Sequence, residues 1–252
     1  MALPFRDEGI VLRRVDYADA DRILTLFTGG HGKVGAIVRG ARRPRSRLSP
    51  ALDLFSRCSL QLAPGRGGLV VVTQAERLSR PWPGHDLTRT ACAGVVAGVA
   101  DAVLEEAHAQ PRLYSLVATT LTQVADPRRD ARAELAWFAL EAADQVGYRP
   151  VVDRCAACGG PLVNGDAAFA PGRGGVIQGR CADLDPSALA CHAATLRLLR
   201  RMAAGDRELY DHVRWTAGLR DELEALLVAH LGHHLDRPLR AAALLRFLRP
   251  PG

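Results

Sequence analysis

Five short runs of strand-forming residues lie close together near the start of the chain, and their spacing strongly constrains the fold. Turn-forming segments rich in glycine and proline separate several of them. The runs are Glu8–Arg13, Arg22–Thr28, Lys33–Arg39, Arg57–Leu62 and Leu69–Ala75. Five strands within about 70 residues match the size of a small closed barrel such as the OB-fold. We therefore predict a barrel domain over residues 1–80.

The individual runs differ in how they place apolar side chains. Cys58, Leu60 and Leu62 alternate with polar residues, which indicates a half-buried strand. The run Arg22–Thr28 is apolar on both faces instead. Gly35 interrupts the third run, and a glycine inside a strand suggests a bulge or a sharp bend.

The excess positive charge of the chain is confined to this first domain. Residues 1–80 contain 14 lysine and arginine residues against 7 aspartate and glutamate residues, a net charge of +7. The whole chain has a net charge of +6, so residues 81–252 are close to neutral. A basic, β-patterned module before a longer neutral region is typical of a nucleic-acid-binding module on a separate scaffold.

A cluster of arginines follows the third predicted strand. Gly40 and Pro44 within it indicate a loop, and guanidinium groups on a loop favour phosphate binding through counterion release. The candidate DNA-binding residues are Lys33, Arg39, Arg42, Arg43, Arg45 and Arg47. The alternative is an ordinary solvated surface loop. A second loop, Gly65–Gly68, could cradle a phosphate but fits a hairpin turn better.

Aromatic residues, on which the bases of single strands stack, are few in the first domain. They include Phe5, Tyr17, Phe27 and Phe55, and we expect Phe27 and Phe55 in the core. Electrostatic attraction is therefore the expected main contribution to binding, with stacking a minor one.

Beyond Pro81–Gly84 the apolar spacing becomes helical. The predicted helices are Thr88–Ala107, Leu113–Val124, Ala131–Val146, one opening at Asp185-Pro186 and ending near Gly205, Leu219–Leu235 and Leu239–Leu248. We predict an α+β multidomain protein: a five-stranded OB-fold barrel, then a helical domain with an inserted zinc-binding module. The expected boundaries are 1–80 for the barrel, 81–148 and 185–252 for the two helical parts, and 149–184 for the insert.

The insert contains a CxxC knuckle, Cys155 and Cys158, followed by Cys181. Two thiolates at this spacing can chelate one ion, and Zn²⁺ needs two further ligands for tetrahedral closure. The usual second knuckle would place a cysteine at position 178, where this chain has Gln178. We predict a structural Zn²⁺ site formed by Cys155, Cys158, Cys181 and Cys191, on the following helix, with His192 and Gln178 as alternatives for the fourth ligand. Free thiols without a metal, and a redox CxxC, are the competing interpretations.

The remaining sequence patterns give weaker evidence about function. His230, His233 and His234 have a spacing that could bind metal, but we expect an exposed helix face because no acidic or cysteine partner is near in sequence. No catalytic triad order, Walker loop or paired-carboxylate pattern supports an enzyme. The start of the chain has no apolar run of signal-peptide length, no run is long enough to span a bilayer, and six cysteines in 252 residues do not indicate a secreted disulfide framework. We expect a cytoplasmic protein without membrane association.

The residues resemble the bacterial recombination mediator family RecO. The N-terminal resemblance lies in Gly9–Arg13, Asp21–Thr28, Gly32-Lys33, and Arg39–Arg43 followed by Ser46. The C-terminal resemblance lies in Cys155, Cys158, Gly174-Gly175 and Cys181, and in the closing run Leu227–Leu248. The resemblance implies an N-terminal OB-fold, a helical domain and a zinc module, and Gln178 departs from the family's four-cysteine set.

The resemblance also implies function and partners. RecO-like proteins bind single- and double-stranded DNA, anneal complementary strands and work with RecR to load recombinase onto DNA covered by single-strand-binding protein. They contact the acidic C-terminal tail of that protein and are expected with the nucleoid. In this chain Arg197, Arg200 and Arg201 fall on one helical face beside leucines, and they are candidates for binding the tail. The alternatives are an RNA-binding protein, a scaffold whose basic loop docks an acidic protein and, less favoured, a nuclease.

Overall fold

The five N-terminal strands close into a barrel, as predicted. They are β1 Phe5–Tyr17, β2 Asp21–Thr28, β3 Gly32–Val38, β4 Arg57–Pro64 and β5 Val70–Arg77. The order around the barrel is β1-β2-β3-β5-β4, and β4 pairs back with β1. All neighbours are antiparallel except β3 and β5, which run parallel with Ala36 opposite Val70. This arrangement confirms a five-stranded barrel of the OB type.

Seven α-helices follow the barrel within the described residues. They are α1 Leu87–Val103, α2 Pro111–Ala125, α3 Ala131–Gln145, α4 Ala193–Ala203, α5 Leu209–His212, α6 Ala217–His234 and α7 Arg240–Phe247. The computed structural model describes residues 3–65, 67–79, 82, 85–162, 167–235 and 239–248. Arg66, in the predicted turn after β4, and Pro81, Pro83 and Gly84, in the predicted link to the helices, lie outside these residues.

The chain divides into two compact units, Met1–Ala125 and Asp126–Gly252. The first unit contains the barrel with α1 and α2, which pack against each other, and α1 also contacts β1. The second unit contains α3 to α7 and the cysteine-rich segment. The last barrel strand ends at Arg77, before the predicted boundary at residue 80, and the first two helices share the barrel's unit.

Alternate residues of the strands fill the barrel interior. In β4, Cys58, Leu60 and Leu62 are buried, and the residues between them are exposed or partly exposed, as the sequence pattern predicts. Both faces of β2 are buried toward its end because α2 covers the outside of the barrel there. The ring of Tyr114 from α2 packs edge-on against Phe27, with 5.3 Å between the ring centroids.

Of the bulge or sharp bend predicted at Gly35, the bulge is absent. The pairing of β2 with β3 is regular through Gly35, which lies opposite Thr25. The register shifts instead between Val11 and Arg13 of β1 and between Gln61 and Leu62 of β4. A Cβ atom on Gly35 would lie 2.8 Å from Leu69 Cδ2, so the absent side chain makes room for the residue before β5.

The second unit is organised around α3, which packs on α6. Asp130 is the N-cap of α3, as predicted, because its carboxylate accepts hydrogen bonds from the backbone N–H groups of Arg132 and Ala133. Gly147, with φ of +83°, follows the end of this helix. The cysteine-rich segment adds a three-stranded sheet in the order β7-β6-β8, formed by β6 Ala167–Ala170, β7 Gly175–Gln178 and β8 Leu189–Ala190.

The helix predicted to open at Asp185 begins eight residues later, at Ala193. Asp185 is instead occupied in a local turn: its Oδ1 accepts from the backbone N–H and the hydroxyl of Ser187, and its Oδ2 accepts from the backbone N–H of Gly172. These bonds satisfy the carboxylate outside a helix, in the way that aspartate commonly organises turns. Cys191 therefore precedes α4 rather than lying on it.

His230 corrects the expectation that the three histidines form an exposed helix face. It is 1% exposed, and its Nε2 donates a 2.6 Å hydrogen bond to the carbonyl oxygen of Tyr148. Its ring packs edge-on against Phe169. The partly exposed His234 stacks on Tyr148, with ring centroids 4.4 Å apart, whereas His233 is exposed. The histidine spacing that suggested an exposed surface therefore places two of the rings, His230 and His234, in packing contacts on one side of α6.

Within the described part of the chain, no helix combines the length and the apolar character needed to cross a membrane.

Candidate nucleic-acid interface and metal centre

Residues 39–56 connect β3 to β4 and carry the predicted DNA-binding arginines. The first turn of this loop is attached to the neighbouring β1–β2 hairpin. Asp21 Oδ1 accepts a 2.8 Å hydrogen bond from the backbone N–H of Gly40, and the backbone N–H of Arg42 donates a 2.8 Å hydrogen bond to the carbonyl of Ala20. Gly40 has φ of +64°, a left-handed conformation that glycine adopts without strain. The loop therefore leaves the barrel along a defined path.

The loop arginines are all exposed: Arg39, Arg42, Arg43, Arg45 and Arg47. Arg42 Nε lies 3.5 Å from Asp16 Oδ2 at the end of β1. Among the residues that the structure describes, no acidic side chain forms an ion pair with the other four arginines. Their guanidinium groups thus remain available to an external anion.

Asp16, on the first hairpin, is the acidic residue that pairs with Arg42 of this loop. It accepts a 2.9 Å hydrogen bond from Arg22 Nε. That hydrogen bond is the main reason why the pKa of Asp16 lies below its ordinary value, and the charges of Arg42 and Arg14 lower it further. Asp16 remains ionised and offsets only part of the local positive charge.

Lys33 is placed differently from the arginines. Its side chain is 17% exposed, and its Nζ lies 2.5 Å from Asp101 Oδ1 of α1 and 2.8 Å from the carbonyl oxygen of the same residue. The ammonium group is therefore committed within the first unit, although the sequence pattern grouped it with the phosphate-binding arginines.

An apolar row crosses the outer surface of the barrel beside the loop. Val15 lies opposite Ile23, Ile23 opposite Ile37, and Ile37 opposite Val71, so the row spans β1, β2, β3 and β5. Val15 is 48% exposed, and the other three are partly exposed. Tyr17, two residues after Val15 and 52% exposed, extends the row along β1. We call these five residues the outer face.

Sequence reasoning identified the aromatic residues of the first domain but not this surface. Phe27 and Phe55 are buried, as predicted, and Phe5 packs against the ring of His31. Tyr17 is the one of the four named aromatics that projects into solvent. The signal for the outer face was the apolar character of both sides of β2, because Ile23 alternates with the buried Leu24.

The three predicted cysteines of the insert meet at one point. The sulfur atoms of Cys155, Cys158 and Cys181 all lie within 4.8 Å of one another. Cys155 and Cys158 lie on a tight turn in which the N–H of Gly159 donates to the carbonyl of Cys155 at 2.8 Å. Cys181 lies in the short 3₁₀ helix that follows β7 and ends at Leu184. Residues 26 positions apart in sequence are thus brought together by the sheet and the turn.

The environment of these sulfurs favours a metal-binding thiolate. Burial raises the pKa of Cys155, but hydrogen bonds from the backbone N–H groups of Gln178, Cys158 and Ala157 outweigh it and bring the pKa to about 7. Burial raises the pKa of Cys181, and the neighbouring sulfurs raise it further. Three crowded sulfurs of which one ionises near neutral pH fit a cation that prefers thiolate ligands.

Two comparisons with known proteins identify the family. Residues 1–80 match the family described as recombination protein O N terminal, and residues 84–243 match recombination protein O C terminal. The chain belongs to the RecO family. A DNA repair protein RecO from Symbiobacterium thermophilum is 35% identical over 99% of both chains. One from Roseiflexus sp. is 35% identical over 97% of this chain and 86% of its own, and one from Geobacter sulfurreducens is 32% identical over 98% and 99%.

Membership of the RecO family connects the chain with DNA repair and recombination. The resemblance stated from the sequence motifs is therefore confirmed, as is the barrel that it implied.

The predicted fourth cysteine of this RecO-family chain lies apart from the other three. Within the described residues, the group of clustered sulfurs does not include Cys191. Burial and the nearby charge of Glu222 raise the pKa of the Cys191 thiol to about 12. His192, the second candidate, is directed to Glu222 as well: its Nδ1 lies 3.0 Å from Glu222 Oε2.

The three arginines predicted to bind a partner tail have separate surroundings on α4. Arg200 Nε donates to the carbonyl of Val152 at 2.9 Å, and Arg201 Nε donates to Asp206 Oδ2 at 2.9 Å. Arg197 is exposed. The leucines beside them, Leu196, Leu198 and Leu199, are buried in the second unit, because α4 turns its apolar side inward. The leucines of the predicted surface are therefore buried, and binding of a partner tail by these arginines stays a prediction.

A shallow cleft lies at the start of the same helix. Its volume is about 400 Å³, and mostly apolar groups line it, together with His192, Thr195 and Glu222. Glu222 Oε2 accepts a 2.7 Å hydrogen bond from the hydroxyl of Thr195, and its Oε1 accepts one of the same length from the backbone N–H of His192. The carboxylate is thus fully engaged at the wall of the cleft.

Proposed function

We propose that this chain is a recombination mediator without catalytic activity, which binds single- and double-stranded DNA and anneals complementary strands. The observation that carries the proposal is the cluster of exposed arginines on the β3–β4 loop, beside the outer face of the barrel, in a member of the RecO family.

The loop supplies charge in a form that suits a phosphate backbone. Arginine presents a planar fork of donors to phosphate, and neutralising phosphates releases condensed counterions whatever the base sequence. The hydrogen bonds of Gly40 and Arg42 to the β1–β2 hairpin hold the loop in place before DNA binds. Annealing requires two strands to be held without strong sequence preference, and a backbone-directed surface meets that requirement.

The outer face supplies a surface for unpaired bases. Tyr17 can stack with a base, and Val15, Ile23 and Ile37 offer apolar contact next to it. OB-folds commonly bind oligonucleotides on the face of strands 2 and 3, where Ile23 and Ile37 lie. We propose that a single strand crosses this face while its phosphates contact the loop arginines, with stacking contributing less than charge.

We propose Zn²⁺ as the ion of the cysteine cluster. Cys155, Cys158 and Cys181 would hold it, and its bond energy would stabilise a segment with few large apolar residues of its own. The ion thus supplies cross-linking of the insert rather than chemistry on a substrate.

The proposed partners are RecR, which assists in recombinase loading, and the acidic C-terminal tail of single-strand-binding protein. The cleft at the start of α4 suits the apolar end of such a tail, and Arg197 follows the cleft residue Ala194 by one helical turn. We propose this chain at the nucleoid, in the cytoplasm, where DNA repair takes place.

An annealing assay tests the proposed function. Purified protein should accelerate the pairing of two complementary oligonucleotides, and the Arg42→Ala/Arg43→Ala/Arg45→Ala variant should lose most of this acceleration. A variant with the exposed arginines of the second unit replaced, Arg128→Ala/Arg214→Ala/Arg246→Ala, controls for net charge. Absence of annealing by the parent protein contradicts the proposal and favours a scaffold. Tighter binding of matched RNA than of DNA favours an RNA-binding protein, and metal-dependent strand cleavage indicates a nuclease.

A further inference from the structure

Gln178 occupies the position where a fourth cysteine would complete the metal centre. We infer that the metal is held by three thiolates, and that Gln178 closes the site through hydrogen bonds while an exogenous ligand takes the fourth coordination position. The inference rests on the zinc site proposed above and concerns how this chain, with glutamine at position 178, completes it.

The backbone of Gln178 is already part of the centre. It is the last residue of β7 and immediately precedes the 3₁₀ helix that carries Cys181. Its backbone N–H lies 3.4 Å from Cys155 Sγ, a sulfur hydrogen bond that stabilises thiolate. A side chain starting from this residue therefore begins beside the three sulfurs.

The side chain of Gln178 forms a different contact from its backbone. It is 5% exposed, and its Nε2 donates a hydrogen bond to the carbonyl of Pro161, on the segment that follows the CxxC turn. A glutamine amide binds a metal through its oxygen and not through its nitrogen, so the bond from Nε2 to Pro161 fixes how the amide is turned and Oε1 is the only side-chain atom that could reach the ion. Gln178 thus joins the two parts of the insert that a fourth cysteine would join through the ion.

The amide borders the same small space as Cys158. A Cβ atom built on Gly160 would lie 3.4 Å from Gln178 Nε2 and 3.5 Å from Cys158 Sγ. Arg180 Nη2 would lie 3.7 Å from that atom. This side of the centre therefore carries donors and a positive charge rather than a fourth anionic ligand.

The remaining protein candidates are engaged elsewhere in the described part of the chain. Cys191 is buried outside the sulfur group, and His192 pairs with Glu222. A zinc ion with three thiolates carries one negative charge less than an ion with four. An open fourth position, which distinguishes catalytic from structural zinc, would accept water, a small anion or an external thiol, and the metal should exchange faster than in a four-cysteine site.

The test compares the parent protein with Gln178→Cys, Gln178→Ala and Cys191→Ser by metal analysis, by Co²⁺ absorption and by the rate of zinc transfer to a chromophoric chelator. We expect one metal ion per chain in all four proteins. The sulfur-to-cobalt charge-transfer intensity should correspond to three thiolates in the parent and to four in Gln178→Cys. Partners outside the coordination sphere already change metal affinity by roughly 10- to 100-fold, so the added ligand should slow zinc transfer by at least about tenfold.

Two results would overturn the inference while leaving the zinc site intact. A four-thiolate spectrum in the parent that falls to three in Cys191→Ser would make Cys191 the fourth ligand. Loss of metal from Gln178→Ala, with the fold retained by circular dichroism, would make Gln178 a ligand. Absence of zinc from the parent and from Gln178→Cys would instead overturn the proposed zinc site itself.

Discussion

Lys33 Nζ forms a 2.5 Å ion pair with Asp101 Oδ1 and a 2.8 Å hydrogen bond with the carbonyl of the same residue, so it connects β3 to the end of α1. Both side chains are mostly buried, at 17% and 22% exposure. A basic residue that the sequence pattern assigned to DNA binding thus stabilises the first unit internally.

Replacing Lys33 by alanine should lower the free energy of unfolding and leave the electrostatics of DNA binding nearly unchanged. Removing the ammonium leaves a mostly buried carboxylate without this partner, at a cost of about 1–3 kcal/mol in urea denaturation. The Lys33→Ala/Asp101→Ala double variant should cost less than the sum of the single variants. An unaltered unfolding midpoint, together with a shallower salt dependence of DNA affinity, would return Lys33 to the DNA-binding set.

A variant at Tyr17 separates the contribution of base stacking to DNA affinity from the contribution of charge. Tyr17→Ala should weaken binding of a single-stranded oligonucleotide by about 1 kcal/mol, the low end for base–aromatic stacking, without altering the slope of affinity against salt. Phe247→Ala, an exposed aromatic of the second unit, is the matched control and should have no effect. Equal affinities of the Tyr17 variant and the parent protein would remove the outer face from the binding surface.

A buried ion pair holds α3 to α6. Arg132 Nη1 lies 2.7 Å from Glu224 Oε2, and the two side chains are 5% and 2% exposed. Arg132 Nη2 also donates to the carbonyl of Leu245 in α7. Removing one partner of a buried pair is costly because Glu224 loses its closest positive charge, so Arg132→Ala should destabilise the protein by about 3–5 kcal/mol. The more exposed pair Arg201–Asp206 is the comparison, and Arg201→Ala, which removes the more exposed partner, should cost less than about 1 kcal/mol. Equal costs would show that burial does not govern these pairs.

His230 makes stability depend on pH. Burial, the main cause, lowers its pKa from 6.5 to about 4. The unfolded state therefore binds more protons between these values, and stability falls as pH decreases from 6.5 toward 4, by up to about 3 kcal/mol. His230→Gln, which retains a donor for the Tyr148 carbonyl, should reduce this loss relative to the parent protein. His212→Gln, at an exposed position, should not. Parallel stability curves for His230→Gln and the parent between pH 7.5 and 4.5 would contradict this origin of the pH dependence.

The barrel could be predicted because it is encoded in local sequence patterns. The alternation of apolar and polar residues in β4 and the glycine-rich turns indicate strands without knowledge of the strands they pair with. The failures arise where a distant residue decides. Gly35 is small because Leu69 approaches it, and the carboxylate of Asp185 accepts from the backbone of Gly172, 13 residues earlier, instead of capping a helix. Periodicity alone does not reveal such interactions.

In the candidate sites, too, the features set by local sequence could be predicted and those set by distant residues could not. The CxxC spacing predicted two clustered sulfurs, and Cys181 joined them as expected, because a tight turn and a short sheet are local structures. The prediction that Cys191 lies on a helix depended on the predicted start of α4. That start was wrong, so the predicted position of Cys191 was wrong as well. The arginine loop was evident from composition, whereas the partner of Lys33 lies 68 residues away in sequence.

The salt dependence of DNA affinity tests the central claim most directly. Log affinity for a single-stranded oligonucleotide, plotted against log salt concentration, should have a negative slope in the parent protein. In Arg42→Ala/Arg43→Ala/Arg45→Ala the slope should be shallower by roughly 0.7 for each single-strand phosphate that is no longer neutralised, with weaker binding at low salt. The charge-matched control Arg128→Ala/Arg214→Ala/Arg246→Ala should retain the parent slope. Unchanged affinity and slope in the loop variant would contradict DNA binding by the arginine loop.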